Sequence, residues 1–259
     1  VDALARIARR DADDTWTRTA VLSSCARRAD RLAAALLSDA PFTAKPQADL
    51  WLSELATIVG GGKRQAELGR LLGTAAALPE GSAMQATVVG GIGAGLRRAG
   101  SSLAELPPLG DQADALVDRL IAQASATATD AEAPSSARTR AIRLLSHSGA
   151  SNVVDALTRL VSPEEPPAVQ QAALRVVARH SDPAIAGRLI DVCRACSPSV
   201  QAEILTVLGS RPSWSAALLD ACKRGEIPTG LIPPATQAAL LRSDEAKLRT
   251  AAEALFGAA

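Results

Sequence analysis

The sequence predicts an all-α chain built from repeated helix pairs, and three observations predict it. Prolines at 167, 183, 198 and 212 stand 16, 15 and 14 residues apart, and behind each the apolar residues fall on one helical face. Equivalent positions in aligned first helices recur at nearly equal intervals: Ala137 to Val169 is 32 residues and Val169 to Val200 is 31, so one unit is two helices with their turns. The composition is 47% apolar but only 2% aromatic, with no Tyr, a mix that favours close helix packing over sheet. The unit is shorter than the roughly 40–47 residues of HEAT units and near the roughly 33–34 of ankyrin and tetratricopeptide units, but the signature residues of those two are absent. A HEAT-like helical-repeat solenoid with an irregular N-terminal half is the fold that fits.

The regular part spans residues 137–259. Pro183 follows Asp182 and Pro198 follows Ser197, and a capping side chain followed by Pro at the first helical position is a helix start. Val169, Ala172, Ala173, Val176 and Val177 form one apolar stripe. Ile185, Leu189, Val192 and Cys193 form the next, followed by Val200, Ile204, Val207 and Leu208, then Trp214, Ala217, Leu218, Ala221 and Cys222, and finally Leu248, Ala251, Ala252, Leu255 and Phe256. No strand alternation competes with them.

The irregular part, residues 1–126, keeps helices but loses the period. Residues 14–22 read as a first helix with Ala29 to Leu37 as its partner, and a loop with Pro41 and Pro46 follows. Residues 47–59 carry Trp51, Leu55, Ile58 and Val59 at helical spacing, Gly60-Gly61-Gly62 reads as a break, and 63–78 resume with Leu68, Leu71, Leu72 and Ala75. Helices are expected at 82–99 and 111–126, with Pro107-Pro108 and Gly110 turning the chain between them. Residues 127–136 read as a surface loop joining the two halves.

Chemistry-bearing motifs are incomplete wherever they occur. Gly90-Gly91-Ile92-Gly93-Ala94-Gly95 has Leu96 where a dinucleotide loop needs its third Gly, and Gly61-Gly62-Lys63-Arg64 lacks the Ser or Thr of a phosphate loop. Small residues at a close helix approach explain the first and a turn explains the second. Cys193 and Cys196 form C-x-x-C with no second pair for zinc and Ser rather than His at 197; Cys193 and Cys222 lie on apolar stripes, and Cys25 ends a helix. His147 and His180, the only histidines, each close a first helix without a nucleophile or carboxylate partner in sequence. Asp11, Asp13 and Asp14 lack the Gly and Glu of a calcium loop and read as capping carboxylates. No catalytic, cofactor-binding or metal-binding residue is therefore assigned.

Charge narrows the partners. With 28 basic and 27 acidic residues the formal charge is +1, which gives no electrostatic footprint for nucleic acid and disfavours a nucleic-acid-binding HEAT protein or an anionic membrane surface. No apolar run is long enough for membrane insertion. The start, without Met and already inside a helical pattern, reads as a piece of something longer.

The stretch Leu208-Gly209-Ser210-Arg211-Pro212-Ser213-Trp214 through Ala221, with Gly225-Glu226-Ile227, Gln237, Leu240-Leu241, Ser243-Asp244 and Arg249 through Gly257, resembles one bacterial family, as do Trp16 to Ser24 and Arg140 to Leu145. That family is the large secreted haem-binding proteins typical of planctomycetes, often labelled membrane-bound dehydrogenases. The resemblance covers essentially all 259 residues but only the family's repeat segment. It implies a preceding sugar-dehydrogenase-type propeller, a following c-type cytochrome domain with C-x-x-C-H near where this chain stops, and export to the periplasm or cell surface. No haem or propeller residue carries over.

The expected function is a non-catalytic helical-repeat scaffold that holds neighbouring domains of the same parent chain or another protein. The alternative is a small-molecule-binding or enzymatic domain with a pocket in the 40–130 region.

Overall fold

The computed structural model describes residues 1–149, 151–180 and 182–257, and among them every regular element is helical. The chain forms two compact units, Val1–Ala126 with Leu144–Ala150, and Thr127–Arg143 with Ser151–Ala259.

The first unit begins with α1 (Asp2–Arg10), α2 (Thr15–Ser24) and α3 (Ala29–Leu37). Where a loop is expected around Pro41, Asp39 caps a short helix, α4 (Ala40–Thr43), with Pro in its first turn, where a missing N–H costs nothing. α5 (Ala48–Gly62) runs straight through the three glycines expected to break it. It ends one residue later, with Lys63 in the left-handed conformation at φ 51°. Glycine weakens a helix in isolation by about 1 kcal/mol, and here tertiary packing offsets that cost. The helices α6 (Gln65–Ala76) and α7 (Ala83–Arg98) follow.

α5 and α7 form the closest helix pair in this unit. A Cβ on Gly60 would strike the backbone of Ile92, and one on Gly95 would strike the carbonyl of Thr57 and lie 2.6 Å from the Gly61 nitrogen. One on Gly91 would lie 2.7 Å from both the Ala56 Cβ and the Ser53 oxygen. Backbone therefore meets backbone with no side chain between. Around this crossing Trp51, Leu52, Leu55, Val59, Val88, Ile92 and Leu96 are fully buried, and each large apolar side chain so buried contributes about 1.5–3 kcal/mol.

α8 (Asp111–Thr129) and α9 (Ser135–Leu145) shorten the expected 127–136 loop to five residues, 130–134. Residues 146–149 belong with the first unit because Leu103 and Ala104 donate their N–H groups to the carbonyls of His147 and Ser148 at 3.0 and 2.9 Å.

The second unit continues with α10 (Ser151–Arg159), α11 (Pro167–Val177), α12 (Pro183–Cys193), α13 (Pro198–Leu208), α14 (Pro212–Lys223), α15 (Pro234–Leu241) and α16 (Ala246–Phe256). All four prolines that mark the period stand at a first helical position, where fixed φ and a missing N–H are no handicap. Asp182 caps α12 through the Ala184 N–H at 2.9 Å. Ser197 does not cap α13; its hydroxyl lies 3.3 Å from that of Ser199. Neighbouring helices pack as α10 on α11, α12 on α13, α13 on α14 and α15 on α16, and helices two apart pack as α10 on α12, α11 on α13, α12 on α14 and α14 on α16. A helix sandwiched in this way buries more than one stripe. Leu174, Ala186, Ile190, Leu205 and Leu219, all outside the stripes read from sequence, are buried too.

Candidate functional site

The side chains that could do chemistry are each placed by the fold. Cys25 and Cys193 have no exposed surface, Cys196 and Cys222 are buried, and all four are free thiols. Burial pushes every one of them up, Cys193 and Cys222 to about 11, so at neutral pH each is overwhelmingly the thiol and only a small fraction is the thiolate that a nucleophile or metal ligand requires. Among the described residues no group of three or more His, Cys, Asp or Glu side chains could hold a metal ion.

His147 lies two residues beyond α9 and is buried, with its Cβ where a side chain on Gly93 would have to go. Arg97 Nη1 is 2.9 Å from its Nδ1, and because a guanidinium only donates, that nitrogen is the acceptor. His180 is half-buried beyond the end of α11. Desolvation first, then Arg211 and Arg179, hold its pKa below the usual imidazole value. Asp14 caps α2 through the N–H groups of Trp16 and Thr17 at 3.1 Å, while Asp11 pairs with Arg10 at 2.7 Å. The Gly90–Gly95 run lies inside α7 against α5 and forms no loop.

What the fold does bring together is a recurring device for orphan carbonyls at helix ends and turns. The fourth residue of α9, α11, α13 and α15 is in every case a long donor: Arg138, Gln170, Gln201 and Gln237. Each reaches back to the end of the preceding helix or to the connection before its own, because side chains lean toward the N-terminus. Arg138 Nε donates to Ala128 O at 2.9 Å, Gln170 Nε2 to Ser162 O, Gln201 Nε2 to Arg194 O at 3.1 Å, and Gln237 Nε2 to Ile232 O at 2.9 Å. Carbonyls at a helix end or turn have no partner in a ladder, and a buried one left unsatisfied costs about 1–3 kcal/mol. Arg138, fully buried, also holds Glu165 at 2.7 Å, an ion pair rather than an aligned hydrogen bond.

Sequence reading missed this device, although its signal is present. Pro167-Ala168-Val169-Gln170, Pro198-Ser199-Val200-Gln201 and Pro234-Ala235-Thr236-Gln237 are one phrase written three times. Following apolar residues alone passed over the glutamine.

A second clamp crosses from α14 to the end of α11. Arg211 donates to the carbonyls of Ala178 and His180 while stacking on Trp214 at 4.5 Å, and the Trp214 indole donates to Asp182 O at 3.1 Å. Trp51 does the same in the first unit, donating to Ala12 O at 2.9 Å.

The exposed faces of the second helices are charged. Arg188 on α12 pairs with Asp155 on α10 at 3.1 Å, and Asp191, Asp220 and Lys223 are exposed on α12 and α14. Among first helices, Arg175 on α11 meets Glu203 on α13 at 3.4 Å. Such exposed pairs are worth at most about 1 kcal/mol, so they can be exchanged for contacts with a partner. Trp16, on α2, is the most exposed large apolar side chain among the described residues, at 83%.

No family model, curated protein or solved structure matches the chain. No helix among the described residues is long and apolar enough to cross a membrane.

Proposed function

We propose that this chain is a HEAT-like helical-repeat scaffold that binds protein and carries no catalytic centre of its own. The observation that supports this most is the repeated fourth-position donor in α9, α11, α13 and α15, at intervals of 32, 31 and 36 residues. One device satisfying the same connection in successive helix pairs is what stacking of equivalent units requires. The row α10, α12, α14 and α16, with its exposed Arg188, Asp191, Asp220 and Lys223, is the proposed interaction face. Extended faces of this kind suit a protein partner better than a small molecule.

The partner proposed, on the resemblance alone, is a neighbouring domain of the parent protein: a propeller-type dehydrogenase before this segment or a c-type cytochrome after it, in the periplasm or at the cell surface. Calorimetric titration of the chain with each separately expressed domain tests this. A saturable complex that weakens when Arg188 and Asp220 are reversed in charge is expected. Turnover of a substrate, or a cofactor retained in stoichiometric amount by the purified chain, would overturn it. The alternative, a small-molecule-binding or enzymatic domain with a pocket in residues 40–130, needs long loops that close over a ligand, and helices α4 to α8 fill most of that stretch.

A further inference from the structure

The α12–α13 connection holds two thiols in one tight turn. Cys193 is the last residue of α12, and Cys196 stands just before Ser197 and Pro198, the start of α13. The Cys196 N–H donates to the Cys193 carbonyl at 3.2 Å. A turn closed in this way keeps the first and fourth Cα atoms within about 7 Å, and a disulfide needs them about 4.4–6.8 Å apart. Both side chains are turned inward, Cys193 wholly buried and Cys196 6% exposed. No metal-ligating group joins them, since the described residues contain no cluster of three such ligands. Two thiols alone, both buried and joined by a turn that keeps their Cα atoms within bridging reach, are suited to one reaction.

We propose that Cys193 and Cys196 are a redox-closable pair, and that a disulfide donor such as glutathione disulfide links them across the α12–α13 turn. Cys196, the less buried, attacks first as its thiolate. A protein–glutathione mixed disulfide forms, and one glutathione thiolate leaves and takes up a proton. Cys193, deprotonated, then attacks the Cys196 sulfur and displaces the second glutathione. The protein loses two electrons and two protons, and one glutathione disulfide becomes two glutathione thiols. The turn stays as it is, because its backbone hydrogen bond already sets the separation. Burial makes both thiols weak acids, so closure is slow at neutral pH and speeds up about tenfold per pH unit below the thiol pKa.

The test incubates the whole chain with glutathione disulfide, alkylates the remaining thiols in denaturant, and maps the products by mass. The expected result is two alkylated thiols instead of four, a fragment containing Cys193 joined to one containing Cys196, and the same bridge in a Cys222→Ala variant, with the helical circular dichroism unchanged. In Cys193→Ala, the glutathione adduct on Cys196 should persist. Four alkylated thiols after an exposure that oxidises the urea-unfolded chain would overturn the proposal. So would a bridge to Cys222 or Cys25, or a stable adduct on Cys196 with Cys193 still free.

Discussion

The two units solve the same problem, packing short helices rich in Ala and Leu, by different means. In the first, glycines let α5 and α7 touch backbone to backbone, so stability there depends on the absence of side chains. In the second, prolines start each helix of α11–α14 and a donor in the fourth position of α9, α11, α13 and α15 closes the preceding connection, so stability depends on particular side chains being present. The first arrangement is local to one crossing, whereas the second can be copied along a chain. That difference explains why only the second unit has a visible period.

Both units nonetheless rely on a buried Trp whose indole N–H serves a carbonyl outside its own helix, and the largest effects are expected there. Trp51→Ala and Trp214→Ala should each cost about 4 kcal/mol in urea unfolding, whereas Trp16→Ala should stay within about 0.5 kcal/mol. Similar losses for all three would mean that Trp16 is not the exposed residue described above.

The next contrast separates the glycines. Gly95→Ala drives a methyl into the α5 backbone and should destabilise by about 3 kcal/mol. Gly73→Ala in α6 and Gly187→Ala in α12, where nothing lies within 4 Å, should stabilise by about 0.5–1 kcal/mol through helix propensity. Equal effects at all three sites would break the distinction between contact glycines and merely helical ones.

Glycine is also where sequence reading and fold part company. Gly60-Gly61-Gly62 reads as a break because intrinsic propensity is all that a local reading has, and the neighbour that pays for the helix, α7, lies some thirty residues away in the chain. Proline placement, by contrast, is a local property, and the starts of α11, α12, α13 and α14 were legible to the residue. The apolar stripes were legible, yet Leu174, Leu205 and Leu219 lay outside them because burial on a second face depends on packing against the helix next but one. The fourth-position donors were legible in principle, as Pro-x-x-Gln, to a reading that followed polar residues as well. Ser197 shows the opposite case, a cap suggested by residue type that the local geometry does not use.

Removing a fourth-position donor should have a smaller effect. Gln237→Ala should cost about 1 kcal/mol, the net worth of a hydrogen bond to a carbonyl at a turn, with Gln201→Ala close behind. Neutral results at both would leave the donors as bystanders. The smallest effect is electrostatic. His180 has its pKa lowered in the fold, so its contribution to stability is present above the ordinary imidazole value and lost as pH falls through the folded one. Wild-type stability should therefore decline on mild acidification more than that of His180→Gln, when the two are compared by thermal melts across that range.

The proposal that the second unit is built of interchangeable helix pairs is tested most directly by an in-phase deletion. Removing the 31 residues from Pro167 to Ser197 joins Pro166 to Pro198 and takes out one whole pair. Circular dichroism and urea unfolding should show unchanged helicity per residue and a cooperative transition, whereas removing α11 alone, Pro167–Val177, should abolish that transition. Collapse of the in-phase deletion to the same degree as the single-helix one would contradict the repeat.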